Sequence, residues 1–317
     1  MKIVVTGGLG HIGSRLIREL PGNDVVILDN LATQRFTSLF DLPGHSRFDF
    51  HEADVRTAAL EPFFEGADAV VHLAALTDAA TSFDHPEQVE EVNFRATVRV
   101  AEACAAVGAP LVFLSTTSVY GTQNEVVDED CPESDLRPQS PYAVAKLQAE
   151  RALEELGASR DLRFITCRFG TIFGVSPGMR FHTAVNKFIW QACLGLPITV
   201  WRSALDQRRP YLDLGDAVRA ISMIIERELF HKRAYNVLTT NATVREIVDA
   251  IRELVPDLTI ELVESRIMNQ LSYTVADSRF RALGFDVRGD LRRGVAETVA
   301  LLRNCRVAPA VASSAWS

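Results

Sequence analysis

The apolar positions of this 317-residue chain change rhythm along its length. Short β-branched and aliphatic runs recur at Lys2–Thr6, Val25–Leu28, Ala69–Leu73, Leu111–Ser115 and Phe164–Arg168. Such compact runs read as strands buried on both faces. Between them the period lengthens. Val89, Val92, Ala96, Val100, Ala103 and Val107 recur at three- and four-residue steps, which predicts one long helix from Pro86 to Val107. Ser140 and Pro141 read as N-cap and first helical position of a helix running to about Leu156, with Gly157 as its stop. Strands spaced by helices predict an α/β fold, a doubly wound parallel sheet of the Rossmann kind.

After Gly174 the alternation weakens. Phe181–Leu194 and Ala217–Glu226 look helical, and Leu258–Val263 looks like a strand. Thr243 and Glu246 form a capping box ahead of Ile247, Val248, Ile251 and Leu254. The expected organisation is a dinucleotide-binding domain over residues 1–170, with a strand and helix at about 211–240 returning to it. A smaller, mixed C-terminal lobe covers mainly 171–310, and 311–317 is a flexible tail of small and polar residues.

Composition narrows the partners. Hydrophobic residues make up 47% and charged residues 23%, which excludes wholesale disorder and fibrous architectures. No apolar run approaches the roughly 18 residues of a membrane span, and the N-terminal apolar stretch is too short for a signal peptide. A net charge of −8 argues against nucleic acid or anionic membrane as a partner. An anionic ligand must therefore be held locally. The five cysteines are odd in number with no CxxC, and the seven histidines show no HExxH. Reduced thiols, a cytoplasmic location and no metal are expected.

Three motifs carry chemistry. Gly7, Gly10 and Gly13 lie between the first strand and a helix, where glycines let the backbone approach a pyrophosphate. Asp29 ends the next strand, where a carboxylate accepts from the adenosine ribose and repels a 2′-phosphate, which favours NAD over NADP. Asp54 follows the third strand and is a candidate for contact with adenine or for a helix cap. Tyr142 and Lys146 share a helix face at i and i+4. A nearby ammonium should lower the tyrosine pKa from about 10 toward neutrality and make Tyr142 a general base. The hydroxyl cluster Ser115, Thr116, Thr117 and Ser118 follows a strand and can face Tyr142.

Together these pieces resemble the extended short-chain dehydrogenases/reductases, in the branch of nucleotide-sugar 4-epimerases, 4,6-dehydratases and 4-dehydrogenases. The resemblance rests on the glycine motif, Leu28-Asp29-Asn30-Leu31, His72-Leu73-Ala74-Ala75, Ser115 through Gly121, and Ser140 through Lys146. It implies NAD held by Gly7, Gly10, His11, Ile12, Gly13, Asp29, Asn30, Asp54, Val55, Leu73, Ala74, Ala75, Asn93, Ser115, Tyr142 and Lys146. It implies Thr116, Tyr142 and Lys146 as the catalytic set, with His11 packing under the pyrophosphate and taking no acid or base role. A nucleotide-diphosphate sugar would meet Thr77, Thr116, Thr117, Thr171, Arg180, Asn186, Arg209 and Arg266. A homodimer through helices near 87–107 and 141–156 is also implied.

The implied reaction is a 4-epimerisation: hydride leaves sugar C4, a 4-keto sugar forms, and hydride returns on the other face. Thr117 and Ser118 stand where the dehydratases carry Asp-Glu, which disfavours dehydration. Thr171 replaces the usual substrate-binding Asn, and the late R-x-G-D motif is missing, with Arg266 nearby. A 4-dehydrogenase or 4-ketoreductase is the alternative within the class. A non-catalytic NAD-binding sensor is the alternative from another class, and the retained Tyr142, Lys146 and Thr116 argue against it.

Overall fold

The computed structural model describes residues 1–121, 126–264 and 272–304. Arg266, Cys305 and the expected tail at 311–317 lie outside the described residues. Seven strands form one sheet: β1 (Lys2–Thr6), β2 (Asp24–Asp29), β3 (Arg47–Glu52), β4 (Ala69–His72), β5 (Leu111–Thr116), β6 (Phe164–Phe169) and β7 (Ala234–Val237). Their spatial order is β7-β6-β5-β4-β1-β2-β3, and every neighbouring pair is parallel. The chain winds one way from β1 to β3 and the other way from β4 onward. The crevice at the carboxyl ends of β1 and β4 is therefore the topological switch point, where open α/β sheets bind ligands.

Side-chain alternation divides the core in two. Ile3 and Val5 pack on one face with Val25, Ile27, Val71 and Val112, while Val4 packs on the other with Val26, Leu28, Val70 and Phe113. Helices cover both faces, so the central strands are built mainly of apolar residues, with polar ones near their carboxyl ends. β3, at the sheet edge, is half exposed and carries Arg47, Asp49, His51 and Glu52.

The long helix predicted from Pro86 to Val107 is present but contains a π-helical turn, Glu91–Arg95, between Pro86–Glu90 and Ala96–Val107. The Tyr142 helix, Pro141–Ser159, has Ser140 as N-cap, accepting from the Ala143 N–H. Gly157 does not stop it. A Cβ there would meet the Phe164 ring at 2.7 Å, so the glycine serves close helix-to-sheet packing. The helix expected from Phe181 begins at Ala184, and the helix expected from Ala217 begins at Leu214, capped by Asp213.

β6 passes through Gly170 into Thr171–Phe173, which pairs with Arg208–Asp213; that strand also pairs with Thr240–Thr243. A third core, including Phe173, Phe188, Ile189, Val200 and Ile247, supports this lobe. The chain then returns: Leu214–Glu226 packs on the first sheet face and β7 joins the sheet edge. Thr243 and Glu246 form the expected capping box. The strand expected from Leu258 is Ile260–Val263, paired with Ile198–Trp201.

Candidate functional site

The glycine loop follows β1 directly. Gly7 adopts φ +67°, and a Cβ on it would sit 2.5 Å from the Ala74 nitrogen. A Cβ on Gly13 would meet the Gly7 carbonyl oxygen at 2.7 Å. Both positions demand glycine, because the turn folds onto itself and onto the loop after β4. The Asp29 carboxylate accepts from the N–H of Leu9 and of Leu31, so it ties the glycine loop to the end of β2. Segment 174–180, from the smaller lobe, seals the other side. Ser176 donates to the His11 carbonyl and the Gly178 N–H donates to Ser14 Oγ. His11 Nε2 bonds the Gly174 carbonyl at 2.9 Å, which places the ring proton on Nε2. Burial holds this imidazole neutral, with a pKa lowered to about 4. It packs against the loop as a spacer and is no proton carrier at neutral pH.

A cleft of about 660 Å³ opens from this loop across the carboxyl end of the sheet into the smaller lobe. Thr116 ends β5, and its Oγ1 accepts from the Ser118 N–H at 3.1 Å. Tyr142 and Lys146 reach the same wall from the first turns of their helix. The expected acidic tyrosine is not what the structure shows. Burial pushes the Tyr142 phenol up to about 12, and a hydrogen bond with Thr116 only partly opposes it. Lys146 is itself buried and donates to the Leu114 carbonyl at 2.8 Å, with its ammonium 4.8 Å from the Phe113 ring centre. Its pKa falls to about 8 for the same reason. Burial acts on both groups here, and it outweighs the attraction that the i, i+4 spacing suggested.

Beneath the cleft, His72 hydrogen-bonds Thr6 Oγ1 at 2.7 Å and Thr97 Oγ1 at 3.0 Å. Thr97 spends its own proton on the Asn93 carbonyl, so His72 Nε2 is the donor and Nδ1 the acceptor. The Asn93 amide clamps both the N–H and the carbonyl of Leu76, at 2.8 Å each. The π-helical turn thus sets the loop that carries Leu73, Ala75 and Thr77 into the cleft.

The wall facing the smaller lobe is cationic and aromatic. Arg180 donates to Thr77 Oγ1 at 3.1 Å. Arg209 lies over the Tyr273 ring, 5.0 Å from its centre. Lys187, Phe188 and Trp201 complete this end.

Among the residues expected at the site, Gly7, Gly10, His11, Ile12, Gly13, Leu73, Ala75, Ser115, Thr116, Tyr142 and Lys146 line the cleft. So do Thr77, Thr117, Thr171, Arg180 and Arg209. Others stand behind it. Asn93 and Asn186 are fully buried, and Asn186 holds Gly174 N–H and the Arg180 carbonyl. These two asparagines position loops, because their amides are spent on backbone. Asp54 receives Asn30 and Arg56, and the Arg56 guanidinium holds its carboxyl far below the usual range. Val55 is buried in the core of the second sheet face. Sequence reasoning missed Arg35, His182 and Tyr273, all of which line the cleft. Arg35 reaches within 3.6 Å of where a Gly10 Cβ would stand, yet no sequence spacing marks it. Its loop contains two non-glycine residues at positive φ, Leu31 and Gln34.

A glycine loop at the switch point, a strand-end carboxylate and a Tyr/Lys/Thr wall define a dinucleotide-dependent enzyme of the short-chain dehydrogenase/reductase type. The chain belongs to the NAD dependent epimerase/dehydratase family, whose model matches residues 3–237. Its cofactor is NAD, and the local fit agrees: cationic Arg35 and Arg180 line the cleft with a loop that has no Cβ at Gly7, Gly10 and Gly13, and Asp29 stands at the end of β2. MoeE5, solved in complex with UDP-glucose and NAD, is 29% identical, with a TM-score of 0.83, covering 96% of this chain and 99% of its own. UDP-glucuronic acid 4-epimerase from Bacillus cereus, solved with UDP-glucuronic acid and NAD, is 25% identical with a TM-score of 0.85 and the same coverage. A trifunctional UDP-glucose 4,6-dehydratase/UDP-4-keto-6-deoxy-D-glucose 3,5-epimerase/UDP-4-keto-L-rhamnose-reductase of Arabidopsis thaliana is 29% identical over 316 residues. The match takes in 94% of this chain and 46% of that protein, so the chain spans about half its length.

Proposed function

We propose that the protein is an NAD-dependent 4-epimerase of UDP-sugars. One observation carries the choice of reaction: among the described residues lining the cleft, the single carboxylate is Asp78. Its Oδ1 accepts from the backbone N–H of Ala80 and Thr81, at 2.9 and 3.2 Å. Elimination of water from the sugar needs a base at C5 and an acid at the departing C6 oxygen. Thr117 and Ser118, beside Thr116, supply neither near neutral pH. Hydride chemistry at one hydroxyl needs only one proton carrier, and Tyr142 fills that role.

Thr116 and Tyr142 hold the C4 hydroxyl between them. Tyr142 takes its proton as the C4 hydride departs and gives the proton back on return. When bound, NAD supplies the hydride acceptor and a further positive charge to the site. Lys146 stabilises the phenolate as an ammonium. Arg180 and Arg209 supply charge for diphosphates, and Thr77, Thr171 and Arg266 are assigned to the sugar nucleotide. Asp29, Asn30 and Asp54 are assigned to the adenosine end. Two copies pair through helices near 87–107 and 141–156, where Val144 leaves an exposed apolar side chain. The reaction is placed in the cytoplasm.

The experiment is to purify the protein, denature it, and quantify released dinucleotide and its redox state, then screen C4 epimer pairs of UDP-sugars. Near-stoichiometric NAD with interconversion of one pair supports the closed cycle. An empty protein that forms NADH in solution from a UDP-sugar replaces it with a 4-dehydrogenase.

A further inference from the structure

Tyr142, Lys146 and Glu150 follow one another at four-residue steps along one helix, so they share a face. The first two reach the cleft. Glu150 lies one turn deeper, 3% exposed. Its carboxylate is fully committed: Ser115 Oγ donates to Oε1, and Arg168 donates to Oε2 from Nη2 at 2.6 Å. Arg168 also donates from Nη1 to the Tyr120 hydroxyl at 3.0 Å, and Tyr120 donates to Asn236 Oδ1 at 2.9 Å. A buried polar chain therefore runs from the cleft wall at Ser115 to β7. A buried ion pair is weak evidence for stability, because desolvation offsets its attraction. Its placement beside the reacting groups suggests a role.

We propose that Glu150 is a positioning residue that keeps Lys146 an ammonium inside the desolvated cleft. Lys146 donates to the Leu114 carbonyl, a neutral dipole, and faces the Phe113 ring from β5. From β4 it meets His72, which burial holds neutral and two threonines hold in place. From its own helix it faces Tyr142, a neutral phenol, and Glu150. From β6 comes Arg168, whose guanidinium is paired with Glu150 at 2.6 Å. Glu150 is the only anion in this set, and it opposes the burial that draws the Lys146 ammonium toward neutrality. Arg168 and Ser115 hold the carboxylate in one orientation, which a free glutamate on a helix would lack.

The inference rests on the reading of Lys146 as the charged partner of Tyr142, but its test needs no substrate. Label the lysine side chains with 13C, assign Lys146 by the resonance lost in Lys146→Met, and titrate it by NMR in the wild-type protein and in Glu150→Gln. The wild-type midpoint should lie near 8. In Glu150→Gln it should fall by about one pH unit or more, as expected for loss of a nearby opposite charge. The alkaline limb of kcat/KM should move down with it, while a purely structural residue would lower activity without moving either midpoint. An unchanged Lys146 midpoint overturns the proposal. If Glu150→Gln does not fold because Arg168 is left unpaired, Glu150→Asp decides. It keeps the ion pair but withdraws the charge by one methylene, and the midpoint should still fall. If Lys146 titrates as expected and no UDP-sugar turns over, the reading of the reaction fails and the role of Glu150 stands.

Discussion

Tyr142→Phe removes one oxygen and leaves a half-buried ring in place. The lost hydroxyl has Thr116 as its partner, and Thr116 Oγ1 keeps the Ser118 N–H. The stability change should therefore stay within about 1 kcal/mol, a shift of the thermal midpoint by no more than about 2–4 °C. Retained NAD should not change, because the glycine loop, Asp29 and Arg35 hold no contact with the phenol. Turnover is another matter. With the phenol pushed up to about 12, a phenolate at pH 8 costs about 5 kcal/mol, near 1.36 kcal/mol for each of about four pH units. Lys146 and the bound cofactor's charge must offset that cost, and in the Phe variant the proton has no acceptor. Loss of general base catalysis should lower the rate about 10²–10⁴-fold. The assay uses one preparation for two readings: dinucleotide released on denaturation, and interconversion of the UDP-sugar epimers. Wild-type turnover with phenylalanine in place would refute the assignment of Tyr142. Loss of NAD together with turnover would show that the ring oxygen serves binding and not chemistry.

Asp29→Ala should weaken NAD and narrow the preference against NADP, and it should loosen the loop, since two N–H groups lose their acceptor. Unchanged preference in a cofactor titration contradicts the placement of the ribose at the end of β2. Asn93→Ala removes both hydrogen bonds to Leu76 and should cost about 2–4 kcal/mol in denaturant unfolding, with a raised Kd for NAD. A stability loss with unaltered NAD affinity would separate the π-helical turn from the site. Three histidines predict acid sensitivity. His11, His72 and His182 are lowered by burial to about 4, 3 and 4, against about 6.5 in the unfolded chain. Below pH 6.5 the unfolded chain takes up protons that the folded chain refuses, so their contribution is complete above 6.5 and declines as pH falls toward 4. The combined slope reaches up to about 4 kcal/mol per pH unit. A thermal midpoint that stays flat from pH 7 to 5 speaks against it.

Much of this protein is local, and local patterns are what a sequence displays. β1, β4, β5 and β6 are buried on both faces, so each is a short, mainly apolar and β-branched stretch that reads as a strand wherever it lies. The glycine motif is legible because Gly7 and Gly13 answer steric demands set within one turn. Tyr142 and Lys146 are legible because a helix puts i and i+4 side by side, and Ser140 caps that helix through its own side chain. The sequence by itself therefore determined the doubly wound sheet, the glycine loop and the placement of Tyr142 and Lys146 on one helix face.

The tertiary structure decided what depends on distant neighbours. Gly157 reads as a helix stop, but Phe164 across the sheet interface makes it a packing glycine. Arg35 reaches the glycine loop only because β2 and its following turn fold beside β1. Asn93 and Asn186 look like ligand residues until the loops around Leu76 and Arg180 consume their amides. Above all, the proton affinities of Tyr142 and Lys146 depend on burial by β4, β5 and the smaller lobe. Helical spacing sets how near two charges stand, whereas desolvation is set by everything packed around them, and that is assembled only when the chain has folded.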